Sequence, residues 1–259
     1  MYDIIATKEK NMERREILKQ VEKLVDMYQK GLLGGEVMPE DSNPHLPKES
    51  LANYNYYTLP MALNYQRNSY KLWESANQTW QDTETNFVFD TKKVSKSSFE
   101  QVQHALVKYK VALQPNKQTE IWIKLCDTIN ELFDGDIRKI FANNDYDVNR
   151  IRTYIQKEHK AQFPYLSGNK ICNYWLYVLY QYTDMQFKNI GDLTVAPDTH
   201  VVKASHRLGL ITDKELETSQ VQLIVIERWN QLLQGTKYYP IDIHTPMWLW
   251  SRNGFRELQ

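Results

Sequence analysis

A short polar turn between two helical stretches is the part of this sequence whose residues most clearly support chemistry. The turn, Tyr165-Leu-Ser-Gly-Asn-Lys170, follows a helix that we expect to end near Phe163-Pro164, and a largely apolar helix follows it. Gly168 lets the chain turn closely, and the free N–H groups at the start of a helix bind anions. We therefore expect Ser167, Gly168 and Asn169 to contact a DNA phosphate. An ordinary packing corner between two helices has the same pattern.

A second feature is Asp198, which lies 28 positions after Lys170 in the segment Val195–Leu210. Asp198 and Thr199 stand where a helix should start, and an Asp at that position caps the helix and is favoured by its dipole. Capping alone would explain this residue. His200 is expected either to touch a DNA phosphate or to hold the helix start. Arg207 is expected either to contact phosphate or to be a solvated surface cation.

The two segments resemble, in the same order, two motifs of the helix–hairpin–helix DNA glycosylase superfamily. Val195–Leu210 is similar to that family's Val-Asp-Thr-His stretch with its Asn-Arg-Leu-Gly type ending, and Leu166–Lys170 is similar to its Leu-Pro-Gly-Val-Gly-Arg-Lys hairpin. The resemblance implies that Lys170 attacks the sugar C1′ and forms a Schiff base. It also implies that Asp198 activates this nucleophile and stabilises the oxocarbenium-like sugar. The long interval between Lys170 and Asp198 is similar to the lysine-to-aspartate interval of the archaeal-type 8-oxoguanine glycosylase/lyases.

Further segments resemble the parts of that branch that read the damaged base. Tyr57–Glu74 is similar to its Ala-Leu-x-x-Tyr-Gln…Tyr-Trp-Glu helix, and Pro240–Trp250 is similar to the family's Asp-x-x-x-Trp ending. By this match Gln66 reads the base, with Trp73 as a second contact. Trp248 stacks on the flipped base, and His244 stands where the family has an Asp.

We therefore expect an N-glycosylase with AP lyase activity that removes an oxidised purine, most simply 8-oxoguanine, from damaged double-stranded DNA as a monomer. Two alternatives remain open. The segment Phe187–Asp198 also resembles the queuosine-nucleotide salvage glycosidases, which cleave a small nucleotide without lysine chemistry. A non-catalytic helical DNA-binding protein would keep the hairpin and lack turnover. No cofactor is expected. No metal is expected either, because His45, His104 and His159 have no ligand spacing.

Hydrophobic periodicity predicts an all-α fold, with the two-lobed architecture of the glycosylases implied by the resemblance. The predicted helices are 11–33 (ended by Gly34-Gly35), 56–81, 98–112, 117–133, 147–158, 168–182, 199–208, 213–234 and 245–251. One short strand is predicted at Asn86–Asp90, and a capping box at Ser97 and Glu100. We expect one unit over 1–259 made of two subdomains, 1–115 with 213–259, and 116–212. No GxGxxG or GxxxxGK[ST] loop occurs.

The 259 residues carry 32 Lys+Arg and 32 Asp+Glu, and this balance argues against a protein that coats nucleic acid indiscriminately. The charge is uneven, since residues 150–207 contain eight basic and four acidic side chains. Two cysteines, Cys126 and Cys172, are too few for a disulfide framework or an all-cysteine iron–sulfur site. With no apolar run long enough to span a membrane, the expected location is the cytoplasm, in association with the nucleoid.

Overall fold

The computed structural model describes the backbone of residues 2–33 and 38–258, and the side chains of 14–33 and 38–258. Every regular element in these segments is a helix, so the all-α prediction is confirmed. The α-helices are α1 Tyr2–Gln29, α2 Leu51–Thr58, α3 Ser69–Gln81, α4 Thr91–Val94, α5 Phe99–Lys108, α6 Pro115–Phe133, α7 Arg138–Asn143, α8 Val148–Thr153, α9 Asn169–Tyr182, α10 Thr199–Arg207, α11 Asp213–Leu216, α12 Val221–Leu233 and α13 His244–Arg252. None of the described helices combines the length and the apolarity needed to cross a membrane.

The first helix ends earlier than predicted. Gly31 has a φ of 68°, and the amide of Leu32 donates to the Met27 carbonyl at 2.8 Å, a bond that closes the helix end. Gly34-Gly35, the expected stop, lie outside the described residues.

Two long predicted helices are each divided into two. Pro60 starts a 3₁₀ turn after α2, and α3 begins again at Ser69 because the Asn68 side chain accepts from the Lys71 amide. In the second case Thr212 caps α11, which stops at Leu216, and α12 starts at Val221. Periodicity continues across both breaks, so a pattern of apolar residues cannot show them.

The predicted strand at Asn86–Asp90 is wrong, because Asn86–Phe89 forms a 3₁₀ helix. Two of its carbonyls accept from side chains: the Trp122 indole N–H donates to Val88 O at 2.9 Å, and the Asn55 amide donates to Phe89 O at 3.0 Å. The predicted capping box is displaced by one residue. Ser98 and Gln101 exchange side-chain to backbone hydrogen bonds of 3.3 and 2.8 Å at the start of α5.

The chain forms two compact units, and residues 37–190 make up unit 2. An aromatic cluster lies in its core, where the Phe89 ring is 5.2–5.6 Å from those of Tyr56, Trp80 and Trp122. The helices α4 and α5 pack on α6. This packing keeps α2 to α9 together, whereas the expected division places a boundary after residue 115.

Residues 1–36 and 191–259 make up unit 1. In this unit α10 packs on α12 and α13, and the Trp229 indole N–H donates to Ser205 Oγ at 2.8 Å. The helix α1 packs on α12 and α13. The Arg14 guanidinium donates to the carbonyls of Leu232 and Gln234, both at 2.9 Å.

Candidate active site

The residues expected at the active site belong to both units. Unit 2 contains Gln66, Trp73, Ser167, Gly168, Asn169 and Lys170, and unit 1 contains Asp198, His200, Arg207, His244 and Trp248. The polar turn is therefore described within unit 2, and the capping aspartate within unit 1.

The turn before α9 is anchored by two fully buried side chains, Phe163 and Leu166. The amide of Ser167 donates to Phe163 O at 2.9 Å, and that of Gly168 to Tyr165 O at 3.0 Å. The left-handed residue is Tyr165, with a φ of 59°, while Gly168 is extended. Glycine is favoured at 168 because a Cβ there would lie 3.1 Å from the Tyr165 carbonyl oxygen. The small residue thus permits a close approach of the backbone.

The start of α9 has no side-chain cap, because Gly168 occupies the N-cap position. The first three helical N–H groups, those of Asn169, Lys170 and Ile171, therefore lack the acceptor that a capping residue supplies. Ser167 is buried, and Asn169 and Lys170 are exposed. Lys170 makes no ion pair with the described residues of unit 2. This arrangement leaves three helix N–H groups and an ammonium group at one exposed turn, which suits an anion.

A pair of stacked tyrosines joins this turn to the loop that carries Gln66. The rings of Tyr65 and Tyr165 are 3.9 Å apart between centroids and only 7° from parallel. The Lys117 ammonium lies 5.8 Å from the first centroid and 5.2 Å from the second. Its hydrogen bond to the Tyr165 hydroxyl lowers the pKa of that phenol, whereas burial raises the pKa of Tyr65.

The loop of Gln66 is also held from its other side. The half-buried Arg67 guanidinium donates to the carbonyls of Val111 and Lys110 at 2.6 and 3.1 Å. Burial lowers the pKa of Arg67 to about 10. Between these two anchors Gln66 is exposed in the left-handed region, with a φ of 49°. A non-glycine residue in this conformation stores strain, which is common where a side chain must be presented to a ligand.

Trp73 lies in the core of unit 2. Its side chain is 0 % exposed, and its ring centroid is 5.7 and 5.6 Å from those of Tyr56 and Tyr57. The indole N–H faces the carboxyl of Glu40, whose pKa is raised by burial and, to a smaller extent, lowered by this N–H. A base would reach this ring only if the core opened, so the geometry favours a packing role.

In unit 1, Asp198 has three hydrogen-bond donors. Its Oδ1 accepts from the amides of His200 and Val201 at 2.9 and 3.0 Å, which caps α10. Its Oδ2 accepts from the Trp248 indole N–H, also at 2.9 Å. The predicted cap is confirmed. Half-buried and bound at both oxygens, this carboxylate has one fixed orientation.

Trp248 bonds to this aspartate directly, and His244 bonds to the backbone just before it. Trp248 is 9 % exposed, with the His200 ring edge-on at 5.3 Å and the Arg252 guanidinium 5.4 Å from its centroid. His244 is buried, and its Nδ1 accepts from the Ala196 amide at 3.4 Å, two residues before Asp198. Both side chains are buried, so for them, as for Trp73, the geometry favours a packing role, here beside the segment that presents the carboxylate.

The roles of Tyr65, Tyr165 and Lys117, which fix the loop of Gln66 to the turn, were not predicted from the sequence. Each tyrosine adjoins or lies in a segment that was singled out, but no local pattern pairs two rings so far apart in the chain. The described residues contain no group of three or more His, Cys, Asp or Glu side chains placed to hold a metal ion. Cys172 is a buried core residue, and burial raises the pKa of its thiol to about 12.

A scan against protein-family models and a search of curated proteins found no match for this chain.

Proposed function

We propose that this protein is a DNA glycosylase with AP lyase activity that removes an oxidised purine, 8-oxoguanine, from double-stranded DNA. The observation that carries the proposal is the joint in unit 2, where the stacked rings of Tyr65 and Tyr165 hold the loop of Gln66 to the turn of Lys170. Excision at a chosen base requires a side chain that reads the base and a nucleophile that reaches its sugar, held in a constant relation.

Substrate binding follows from the chemistry of the turn. A base inside the duplex is out of reach of any side chain, so the damaged nucleotide must be rotated out of the stack. The uncapped N–H groups at the start of α9 would hold a phosphate of this strand, and Lys170 adds a positive charge. The exposed amide of Gln66 would then hydrogen-bond to the edge of the extruded purine.

The proposed reaction uses Lys170 as the nucleophile and Asp198 as the counter-charge. The lysine amine, after loss of a proton, forms a bond to C1′ while the glycosidic C–N bond breaks. The base leaves with that bonding pair and takes up a proton. Opening of the sugar ring gives a Schiff base, from which elimination releases the 3′ phosphate. The Asp198 carboxylate would stabilise the positive charge that develops on the sugar.

Borohydride trapping tests this mechanism, because reduction turns the Schiff base into a stable covalent adduct. Wild-type protein and duplex DNA containing 8-oxoguanine should give an adduct on a denaturing gel. Lys170→Gln should give none, and Lys124→Gln, which removes another exposed lysine of unit 2, should trap normally. The mechanism is wrong if wild type gives no adduct or if Lys170→Gln traps equally well.

A second candidate is a salvage glycosidase that hydrolyses a modified mononucleotide. The observation that favours it is the contrast between Asp198, held by three donors, and Lys170, which is exposed and has no acidic partner among the described residues of its unit. This activity predicts release of the base from a mononucleotide, unchanged in Lys170→Gln and lost in Asp198→Asn. DNA binding with neither reaction would instead identify a non-catalytic DNA-binding protein.

A further inference from the structure

Unit 1 contains a cleft of about 370 Å³ between α1 and the segment that follows α13. The wall formed by the segment after α13 is a turn in which Gly254 and Phe255 both have a left-handed backbone conformation. The Phe255 ring packs edge-on against Trp250 at 4.9 Å. The Trp250 indole N–H donates to the carbonyl of Arg256 at 2.6 Å. The backbone that carries Arg256 is therefore held in place by α13.

The charged side chains that line this cleft are mainly basic. Four are cations and two are carboxylates: Lys19, Lys23, Arg207 and Arg256, with Glu16 and Glu257. The one ion pair among them joins Lys19 to Glu16 at 3.8 Å, and both side chains are more than 60 % exposed, so it contributes little.

The other three cations have no carboxylate within ion-pair distance among the described residues. The described hydrogen bond of the Lys23 ammonium goes to a carbonyl, that of Leu258, at 3.5 Å. Arg207 and Arg256 are exposed at the same cleft. Because the cations of the lining outnumber the carboxylates by four to two, the cleft has a net positive charge that attracts an anion.

The chemistry of the lining selects the class of anion. Two guanidinium groups and two ammonium groups suit phosphate oxygens, to which arginine donates in pairs and lysine adds a point charge. Base recognition is not favoured here, because Trp250 is buried and its indole N–H is already bound. Such a lining binds a phosphodiester backbone without reading its sequence.

We infer that the cleft formed by Lys19, Lys23, Arg207 and Arg256 is a second phosphate-binding site, which contacts the DNA backbone through unit 1. The inference rests on the proposed function and adds to it a contact that neither the turn before α9 nor Gln66 provides. It also gives the exposed Arg207 a partner.

Salt dependence of binding to an undamaged duplex tests the inference. The logarithm of the affinity falls with the logarithm of the salt concentration, and each phosphate contact adds about 0.9 to the steepness of that fall. The double variant Lys23→Ala/Arg256→Ala should therefore make the fall less steep by about 2. The control is Lys214→Ala/Lys237→Ala, which removes two exposed cations of unit 1 outside the cleft and should leave the slope unchanged. Fluorescence anisotropy over a salt series measures both, and circular dichroism checks that the variants fold.

The outcomes separate this inference from the proposed function. Borohydride trapping at low salt should persist in the cleft variant, since the reacting groups are intact. If the cleft variant has the wild-type salt dependence and traps normally, the cleft is not a phosphate-binding site, and the proposed glycosylase activity is unaffected. If the cleft variant loses binding to anionic phospholipid vesicles while its salt dependence of DNA binding is unchanged, the cleft binds a membrane surface and the inference is wrong. If wild type neither traps nor binds DNA, both proposals fail.

Discussion

At the scale of single residues, Asp198 is committed at both carboxylate oxygens. One oxygen receives two backbone N–H groups of α10, and the other receives the indole N–H of Trp248. A carboxylate held in this way needs no reorganisation when positive charge develops nearby, which is the economical way to stabilise a transition state. We therefore expect the indole N–H of Trp248 to contribute more to the rate of base release than its ring does.

Trp248→Phe tests this role, because phenylalanine keeps most of the packing against His200 and removes the N–H. We expect the free energy of unfolding to fall by about 1–2 kcal/mol, since Asp198 Oδ2 loses its donor. Release of the damaged base should slow on the order of tenfold, which corresponds to about 1.4 kcal/mol. Single-turnover kinetics and chemical denaturation measure the two effects.

Trp250→Phe is the matched control, since it deletes an indole N–H from the same helix whose acceptor is the Arg256 carbonyl. It should lose a comparable amount of stability and keep the wild-type rate of base release at low salt. Equal rates in the two variants would show that the Trp248 bond has only a structural role.

At the scale of elements, the turn before α9 and the loop before α3 act as one piece because two aromatic rings lie against each other. Tyr165→Ala removes the stack, which should cost about 1 kcal/mol of stability. It should also reduce trapping by about tenfold, because Gln66 and Lys170 lose their fixed relation. Tyr165→Phe keeps the stacked ring and removes only the hydroxyl, with its hydrogen bonds to Lys117 and Tyr65, so it should trap nearly as well as wild type. Equal trapping by both variants would show that the stack of Tyr65 on Tyr165 does not hold Gln66 and Lys170 in a fixed relation.

The elements also show how far a single sequence leads. The helices at 117–133, 168–182 and 199–208 were predicted to within two residues, because their apolar periodicity is long and their ends carry Pro115, Gly168 and Asp198. The helices α4 and α7 were missed, since four to six residues are too few to establish a period.

The candidate site divides in the same way. The cap at Asp198 depends on neighbouring residues, so the sequence predicts it. The stack of Tyr65 on Tyr165 and the direction of the Trp248 indole N–H depend on packing between residues that are distant in the chain. No local pattern contains that information.

At the scale of the whole molecule, one buried carboxyl should make the stability depend on pH. Glu40 is 0 % exposed, and its Oε2 accepts from the Tyr174 hydroxyl at 3.0 Å. Burial raises its pKa from 4.5 to about 7. The folded protein therefore holds this proton more tightly than the unfolded chain. The contribution of Glu40 to the free energy of unfolding is fully present below pH 4.5. It declines as pH rises towards 7 and beyond, by on the order of 3 kcal/mol.

Glu40→Gln should remove this decline, so that the variant is more stable than wild type at pH 8. Tyr174→Phe should make the decline larger, because it deletes an O–H that stabilises the ionised carboxylate. Urea denaturation at pH 5 and at pH 8 measures all three proteins. A wild-type profile that is flat over this range, or a Glu40→Gln profile as steep as that of wild type, would contradict the assignment.

The division of the chain has a consequence for its biosynthesis. Unit 2 is one continuous stretch, 37–190, whereas unit 1 combines 1–36 with 191–259. Arg14 on α1 bonds to Leu232, which is 218 residues later. On the ribosome, α1 emerges before unit 2 and its partners in unit 1 emerge after it, so every residue of unit 2 is synthesised in between. The helix α1 therefore waits for its native contacts while all of unit 2 is made, and its apolar face must be kept from premature association during that time.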